Sequence, residues 1–449
     1  MKFSTVFFSF YFLFFTCAIA QPKALISGPW AGHIELRNAT IWAQVGTGTK
    51  TVSVQYMAEG SKIIKTASFK GLSGREFNTV KIELNGLEIN TKYNYKIFLD
   101  GKLMSVPFAT SFKTKELWQY RKPAPGFNFL TGSCAYFNEP LYDRPGKPYG
   151  GDSSIFNVMA EIPAAFNLWL GDSWYTRDVD YSTAWGLSYR VSHDRSMKVL
   201  QKLMSAMPQY FIWDDHDFGP NNSGKSFVFK NESREVFKNY TLNPSYGEEG
   251  KGIYSKMSYS DVDFFLTDNR YFRSENKMPD SIDGKPNPAK TYFGSMQMDW
   301  LKNALLFSTS PFKIIASGSQ VLNAVSTAES LGDYSYEFNE LINFITFQKI
   351  TGVIFLSGDR HHSEIIKLER PSAYTLYDVT ISPLTAGVGT LRGAELNNPS
   401  RIANTLIEAQ NFGNISITGP KDNRELKVEF IGIKGNKLAE WSVGERDLK

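Results

Sequence analysis

The stretch 166-FNLWLGDSWY-175 decides the fold: a largely apolar run, Phe166–Leu170, stops abruptly on Gly171 and Asp172. The pattern recurs. Tyr210–Trp213 (YFIW) runs into Asp214-Asp215-His216-Asp217, and Val353–Ser357 (VIFLS) runs into Gly358-Asp359-Arg360-His361-His362. Short apolar runs bounded by turn residues read as strands buried on both faces. Open α/β sheets assemble their sites where such strands end. Three deliveries of carboxylate and imidazole therefore predict one shared site. Asp with His suits hard or borderline cations such as Mg, Mn, Fe, Zn or Ca.

A fourth run, Phe127–Leu130, leads through Thr131-Gly132-Ser133 to Cys134. Alone, Cys134 reads as a small buried hydrophobe; beside three similar strand ends it reads as a thiolate ligand. Gly171 lets a cation approach Asp172 closely, and two carboxylate oxygens can bridge two ions. Tyr175 follows within reach, and a phenolate ligand favours a strongly acidic ion such as Fe(III). His216 offers a ligand or a general acid. Asp359 and His361 are spaced by two, so on extended backbone both face one way. Each motif has a plainer reading, as a turn, a helix-capping cluster or a surface histidine pair. Their joint recurrence after apolar strands favours the metal site.

The rest of the chain frames this core. With 449 residues, 42% hydrophobic and 14% aromatic, there is material for a large domain and an accessory module. A net charge of +4, with both signs interspersed, gives no electrostatic case for a specific nucleic-acid binder. Residues 1–20 read as a signal peptide: Lys2, an apolar Val6–Phe15, and a small-x-small Ala18-Ile19-Ala20 before Gln21. Secretion, or a periplasmic or cell-surface location, is expected, with no transmembrane segment after cleavage. An uncleaved anchor is the competing reading. Cys134 is then the single cysteine left, which excludes an intrachain disulfide.

Residues 22–115 carry short strand patterns punctuated by glycines, among them Thr40–Val45, Thr51–Met57, Asn78–Leu84 and Lys92–Phe98. They predict a β-sandwich of immunoglobulin or fibronectin-III type, serving as spacer or lid. Thr91–Tyr95 resembles the tyrosine region of fibronectin-like modules. From 126 to 449, strands alternate with helical patterns at Ile155–Ile162, Ser196–Met207, Met296–Leu306 and Leu341–Lys349, the grammar of an α/β domain. Glu425–Gly432 and Asn436–Val443 read as a strand pair around Gly435.

The order Gly-Ser-Cys, Gly-Asp-x-x-Tyr, Trp-Asp-Asp-His-Asp, Gly-Asp-x-His resembles the PhoD-like alkaline phosphatase/phosphodiesterase family of metallophosphoesterases. Asp268–Arg273 is similar to that family's Leu-Asp-Thr-Arg-x-x-Arg segment, and Gly294–Leu301 to its Gln-x-x-Trp-Leu helix. The resemblance implies a four-layer αββα sandwich after the β-module, and hydrolysis of phosphate mono- or diesters. It implies Fe(III) and Ca(II) as cofactors, held by Cys134, Asp172, Tyr175, Asp215, Asn221, Asp359 and His361, with Asp172 bridging. His216 falls near the phosphate, and Arg270 and Arg360 are phosphate-contact candidates by charge alone.

Histidine scarcity supports this branch: of five, His33 and His193 lie outside the motifs, too few remaining for a His-rich dinuclear site. A two-cation centre clamps a phosphate and lowers the pKa of water, whose hydroxide then attacks phosphorus. Two rivals stand beside a general phosphoesterase. One is a phosphodiesterase for phospholipid or teichoic-acid-like polymers; the other is a non-enzymatic secreted binding protein with structural calcium. Oligomeric state is not legible.

Overall fold

A computed structural model describes residues 24–70, 75–326 and 328–449. The expected signal segment lies outside the described residues. None of the described helices is long and apolar enough to cross a membrane.

The apolar runs are the centre of two facing six-stranded sheets. The first contains, in order, Gln209–Ile212, Asn167–Leu170, Phe127–Gly132, Asn411–Thr418, Glu425–Gly432 and Lys437–Gly444; its first three strands are parallel. The second runs Ser255–Tyr259, Val262–Leu266, Phe312–Ser317, Val353–Ser357, Ala373–Thr380 and Glu364–Arg370, parallel through its middle four.

The pleat explains why these runs carry no polar alternation. Leu168, Leu170, Tyr210 and Ile212 face the other sheet, where they meet Phe264, Ile314, Ile354 and Leu356. Their neighbours Trp169 and Phe211 point outward onto the helices Ile155–Glu161, Ala184–Arg195, Lys198–Ala206 and Lys230–Tyr240. Phe265, Ile315 and Phe355 do the same on the far side, against Gly294–Phe307 and Ser335–Phe347. Both faces of each central strand are thus covered, and each such side chain contributes roughly 1.5–3 kcal/mol on burial. The result is the four-layer αββα sandwich.

The amino-terminal strands form a separate β-sandwich. Leu25–Gly32, Asn38–Val45 and Asn78–Asn85 make one sheet; Lys65–Lys70, Thr51–Ala58 and Lys92–Leu99 carry the other, with Lys102–Leu103 and Ser111–Lys113 pairing onto Lys92–Leu99. The Tyr93 hydroxyl accepts the Glu88 N–H at 2.8 Å, a tyrosine corner closing the turn before its strand. The sandwich docks on the helix layer through Trp30 and Trp42, which stack at 4.0 Å inside the same apolar cluster as those helices. Trp42 Nε1 donates to the Asn239 carbonyl at 2.7 Å, and Gln44 Nε2 to Ser192 Oγ at 2.7 Å.

Candidate metal centre

Four strands deliver their next residues to one place: three from the first sheet, ending before Cys134, Asp172 and Asp215, and Val353–Ser357 from the second. The turns are pressed backbone to backbone. A Cβ at Gly171 would come within 2.7 Å of Asp214 Cβ, and one at Gly358 within 2.5 Å of the Leu170 carbonyl oxygen. Four delivered residues have left-handed backbone: Cys134 (φ 60°), Asp172 (51°), Asp359 (68°) and His361 (58°). Such strain in non-glycine residues is held only where the surroundings over-determine it, and it concentrates at functional sites. The Asp359–His361 segment is therefore not the extended backbone that spacing suggested.

Ligand atoms converge in two groups, Cys134 with Asp172 and His361, and Asp172 with Asp215 and His216, each with its atoms within 4.8 Å of one another. Asp172 belongs to both. Its Oδ2 lies 3.7 Å from Cys134 Sγ, and its Oδ1 accepts the His216 N–H at 3.3 Å. The turn carrying it is held by Asp217. That carboxylate accepts the backbone N–H groups of Asp172, Ser173 and Trp174, and of Asp214 at 3.0 Å. Asp214 and Asp217 thus form a capping cluster around the short helix Asp215–Phe218, while Asp215 and His216 face the centre.

His361 is oriented from behind. Its Nδ1 lies 2.6 Å from the Gly387 carbonyl and so carries the proton, leaving Nε2 toward the Tyr175 hydroxyl at 3.5 Å. Tyr175 is buried and stacks on His216 with ring centres 4.2 Å apart. Asp359 is half-buried at the same strand end, outside both ligand groups. Asn221 is exposed and lines a 350 Å³ cavity with His216 and Tyr175. His362, the second of the pair, turns inward, 3.3 Å from Glu364.

The electrostatics are those of an anion-rich hole. Burial and then Asp215, Cys134, Asp214 and Asp217 push Asp172 well above the carboxylate range. Burial, with Asp359, pushes the Cys134 thiol up to about 12. Asp359 rises to about 7 through burial and the charges of Asp214 and Asp215. Asp215 alone is depressed: despite its burial, His216, Arg270 and the Asn222 and His216 N–H groups favour its charged form. Burial lowers His216, and its Nδ1 is buried without a hydrogen-bond partner. Thiol, phenol, carboxylates and an uncommitted imidazole, crowded without a cation, are a donor set that fits metal ions.

Two expectations need correction. Arg270 is fully buried, and its guanidinium is held by Asp214 and Glu329. Arg360 is buried against Glu395. Neither lines the cavity. The cations that do are Arg144, Lys147 and Arg177, on or beside a Pro- and Gly-bearing loop that sequence reasoning passed over. Arg177 is tied to Asp143 at 2.9 Å and to the Tyr175 carbonyl at 2.8 Å, whereas Arg144 is exposed and close enough to His216 to lower its pKa. No described sandwich residue lines this cavity; the described part of the amino-terminal module braces the helices.

Comparison with known proteins agrees with this architecture. The family model for PhoD-like phosphatase matches residues 129–425, and a domain of unknown function (DUF7800) matches 22–116. Alkaline phosphatase D of Bacillus subtilis (strain 168) is 26% identical over 333 residues, 64% of this chain. The chain spans 54% of that relative's length. Among solved structures, one of PhoD superposes with a TM-score of 0.72 at 19% identity, covering 94% of this chain and 90% of that one. A purple acid phosphatase, PPD1 of yellow lupin (Lupinus luteus) seeds, gives 0.65 at 12% identity, covering 93% and 74%. At these identities the superpositions speak to the fold. The family match covers more than half of the chain and includes all four strand-end motifs, and this chain belongs to the PhoD-like phosphatase family.

Proposed function

We propose that the chain is an exported, metal-dependent phosphoric ester hydrolase. The observation that carries the reading is the sharing of Asp172 between two ligand groups, the arrangement a bridged pair of cations requires. Cys134, Asp172, Tyr175 and His361 would hold one ion; the thiolate and phenolate favour Fe(III). Asp172, Asp215 and the Asn221 carbonyl would hold Ca(II), a cation that takes oxygen donors, with Asp359 beside them. When bound, the cations supply Lewis acidity, neutralising phosphoryl charge and acidifying water.

The chain's own groups do the rest. Loading the site means displacing the Cys134 and Tyr175 protons, so ion binding releases protons to solvent. Arg144, free at the cavity mouth, would contact the phosphoryl oxygens of the incoming ester. Burial disfavours the charged form of His216, whose ring N–H can hydrogen-bond to the leaving oxygen and stabilise its charge until solvent protonates it, while Tyr175 holds its plane. Asp217 fixes the Asp172 turn and Arg177 the Tyr175 backbone, so both ligands are set before substrate arrives.

The test is elemental analysis of the purified chain alongside phosphate release from p-nitrophenyl phosphate and bis(p-nitrophenyl) phosphate. Iron with calcium, and turnover abolished by chelator, is the expected result. A folded, metal-free preparation that turns over neither ester refutes the proposal.

A further inference from the structure

A second cavity, of 660 Å³, shares Lys147 and Tyr149 with the cavity over His216. It starts where the centre ends. The Tyr149 hydroxyl lies 3.1 Å from His361 Nδ1, and Gly387, whose carbonyl holds that same nitrogen, lines the groove. The far wall is the hairpin between Glu425–Gly432 and Lys437–Gly444. Its register places Gly432 opposite Asn411, on a strand that itself pairs with the one leading to Cys134. Two strand spacings separate the hairpin from that strand, about 10 Å.

The lining has a definite chemistry. Val388, Ile433 and Leu438 give an apolar middle. Lys147 at the near end and Lys434 at the far end supply two cations, and among the described residues no carboxylate lines the groove. Both lysines are exposed, and neither forms a salt bridge among the described residues. An uncompensated cation pair across an apolar trough is complementary to an anion carried on a hydrocarbon spacer.

We infer that this groove receives the alcohol portion of the ester, and that the alcohol bears a second anionic group, a phosphate or carboxylate, which Lys434 reads. The inference rests on the phosphoesterase reading and adds the substrate class to it: an ester whose leaving group is itself anionic about two strand spacings from the reacting phosphorus.

Hexyl phosphate and hexane-1,6-diol bisphosphate differ only in that second anion, and the spacer spans a comparable distance. Phosphate release should give the bisphosphate a kcat/KM about tenfold above hexyl phosphate, the scale of one charge-assisted contact. Lys434→Glu lies on an exposed hairpin and should fold; in it the ratio should fall to about one or below. Shortening the spacer to propane-1,3-diol bisphosphate should also erase the preference. A wild-type ratio of one, or a ratio retained in Lys434→Glu, overturns the inference while leaving the hydrolase reading intact. Failure to cleave any ester, p-nitrophenyl phosphate included, overturns both.

Discussion

Two charge-rich regions lie side by side at the carboxyl ends of the strands. Around Arg270, two guanidiniums and two carboxylates are buried together: Arg270 meets Asp214 and Glu329, and Arg273 meets Glu329 at 2.9 Å. The guanidiniums hold Glu329 below its ordinary range despite burial, and limit the rise that burial imposes on Asp214 to about 6. A few residues away, Asp172 and Cys134 are equally buried and have no Lys or Arg paired with them among the described residues, and both are pushed upward. Asp215 stands between, 3.9 Å from Arg270 and grouped with Asp172. The first region carries its own cations; the second, on the function proposed above, draws them from outside. Compensation, rather than the number of charges, separates scaffold from site.

Removing the shared carboxylate should have the largest effect. Asp172→Asn should lose both ions and about ten-thousandfold in kcat, equivalent to roughly 5 kcal/mol of barrier. Far-UV circular dichroism should stay near wild type. With chelator present, the variant should melt at or above the wild-type temperature, because a buried repulsion has been relieved. Retention of full activity would sink the comparison at its root.

Breaking the compensated region should do the reverse. Arg270→Met leaves Asp214 buried without its guanidinium and Glu329 with Arg273 alone, and should cost about 3–5 kcal/mol of stability in denaturant unfolding. The loss should be the same with chelator as without it, since this cluster draws its cations from the chain. A variant of native stability with a raised KM would restore Arg270 as a substrate contact.

The strands of the two central sheets are legible because burial on two faces leaves a continuous hydrophobic signature, and the β-sandwich because burial on one face leaves an alternating one, as in Thr51–Ala58 and Lys92–Leu99. The helix Ala184–Arg195 is not. Its buried face sets Arg190, Asp194 and Arg195 beside Leu187 and Val191, which leaves too thin an apolar stripe to mark it. The same blindness misassigned two arginines. Arg270 and Arg360 sit inside ligand-like motifs, but their partners Glu329 and Glu395 are 59 and 35 positions away. A lone sequence exposes charge and hides compensation. The left-handed backbone at Cys134, Asp172, Asp359 and His361 is hidden too, because it comes from four strand ends crowding one another.

Arg144 is the finest test of the contrast, since it is a cation that neither region has taken up. It shares the cavity with His216, Tyr175 and Asn221, remains exposed, and forms no ion pair among the described residues. Its neighbour Asp143 is bound instead by Arg177 and the Tyr136 hydroxyl. A guanidinium in that position costs the fold nothing to remove, so Arg144→Ala should leave thermal stability unchanged within about 0.5 kcal/mol. If it meets the phosphoryl oxygens, kcat/KM for p-nitrophenyl phosphate should fall about thirtyfold, roughly 2 kcal/mol, mostly through KM. Arg144→Lys should recover part of the loss, because a point charge keeps the attraction without the bidentate fork. Equal kinetics in all three proteins would mean that the phosphate is held by the metal ions alone, and that this loop contributes shape but no charge.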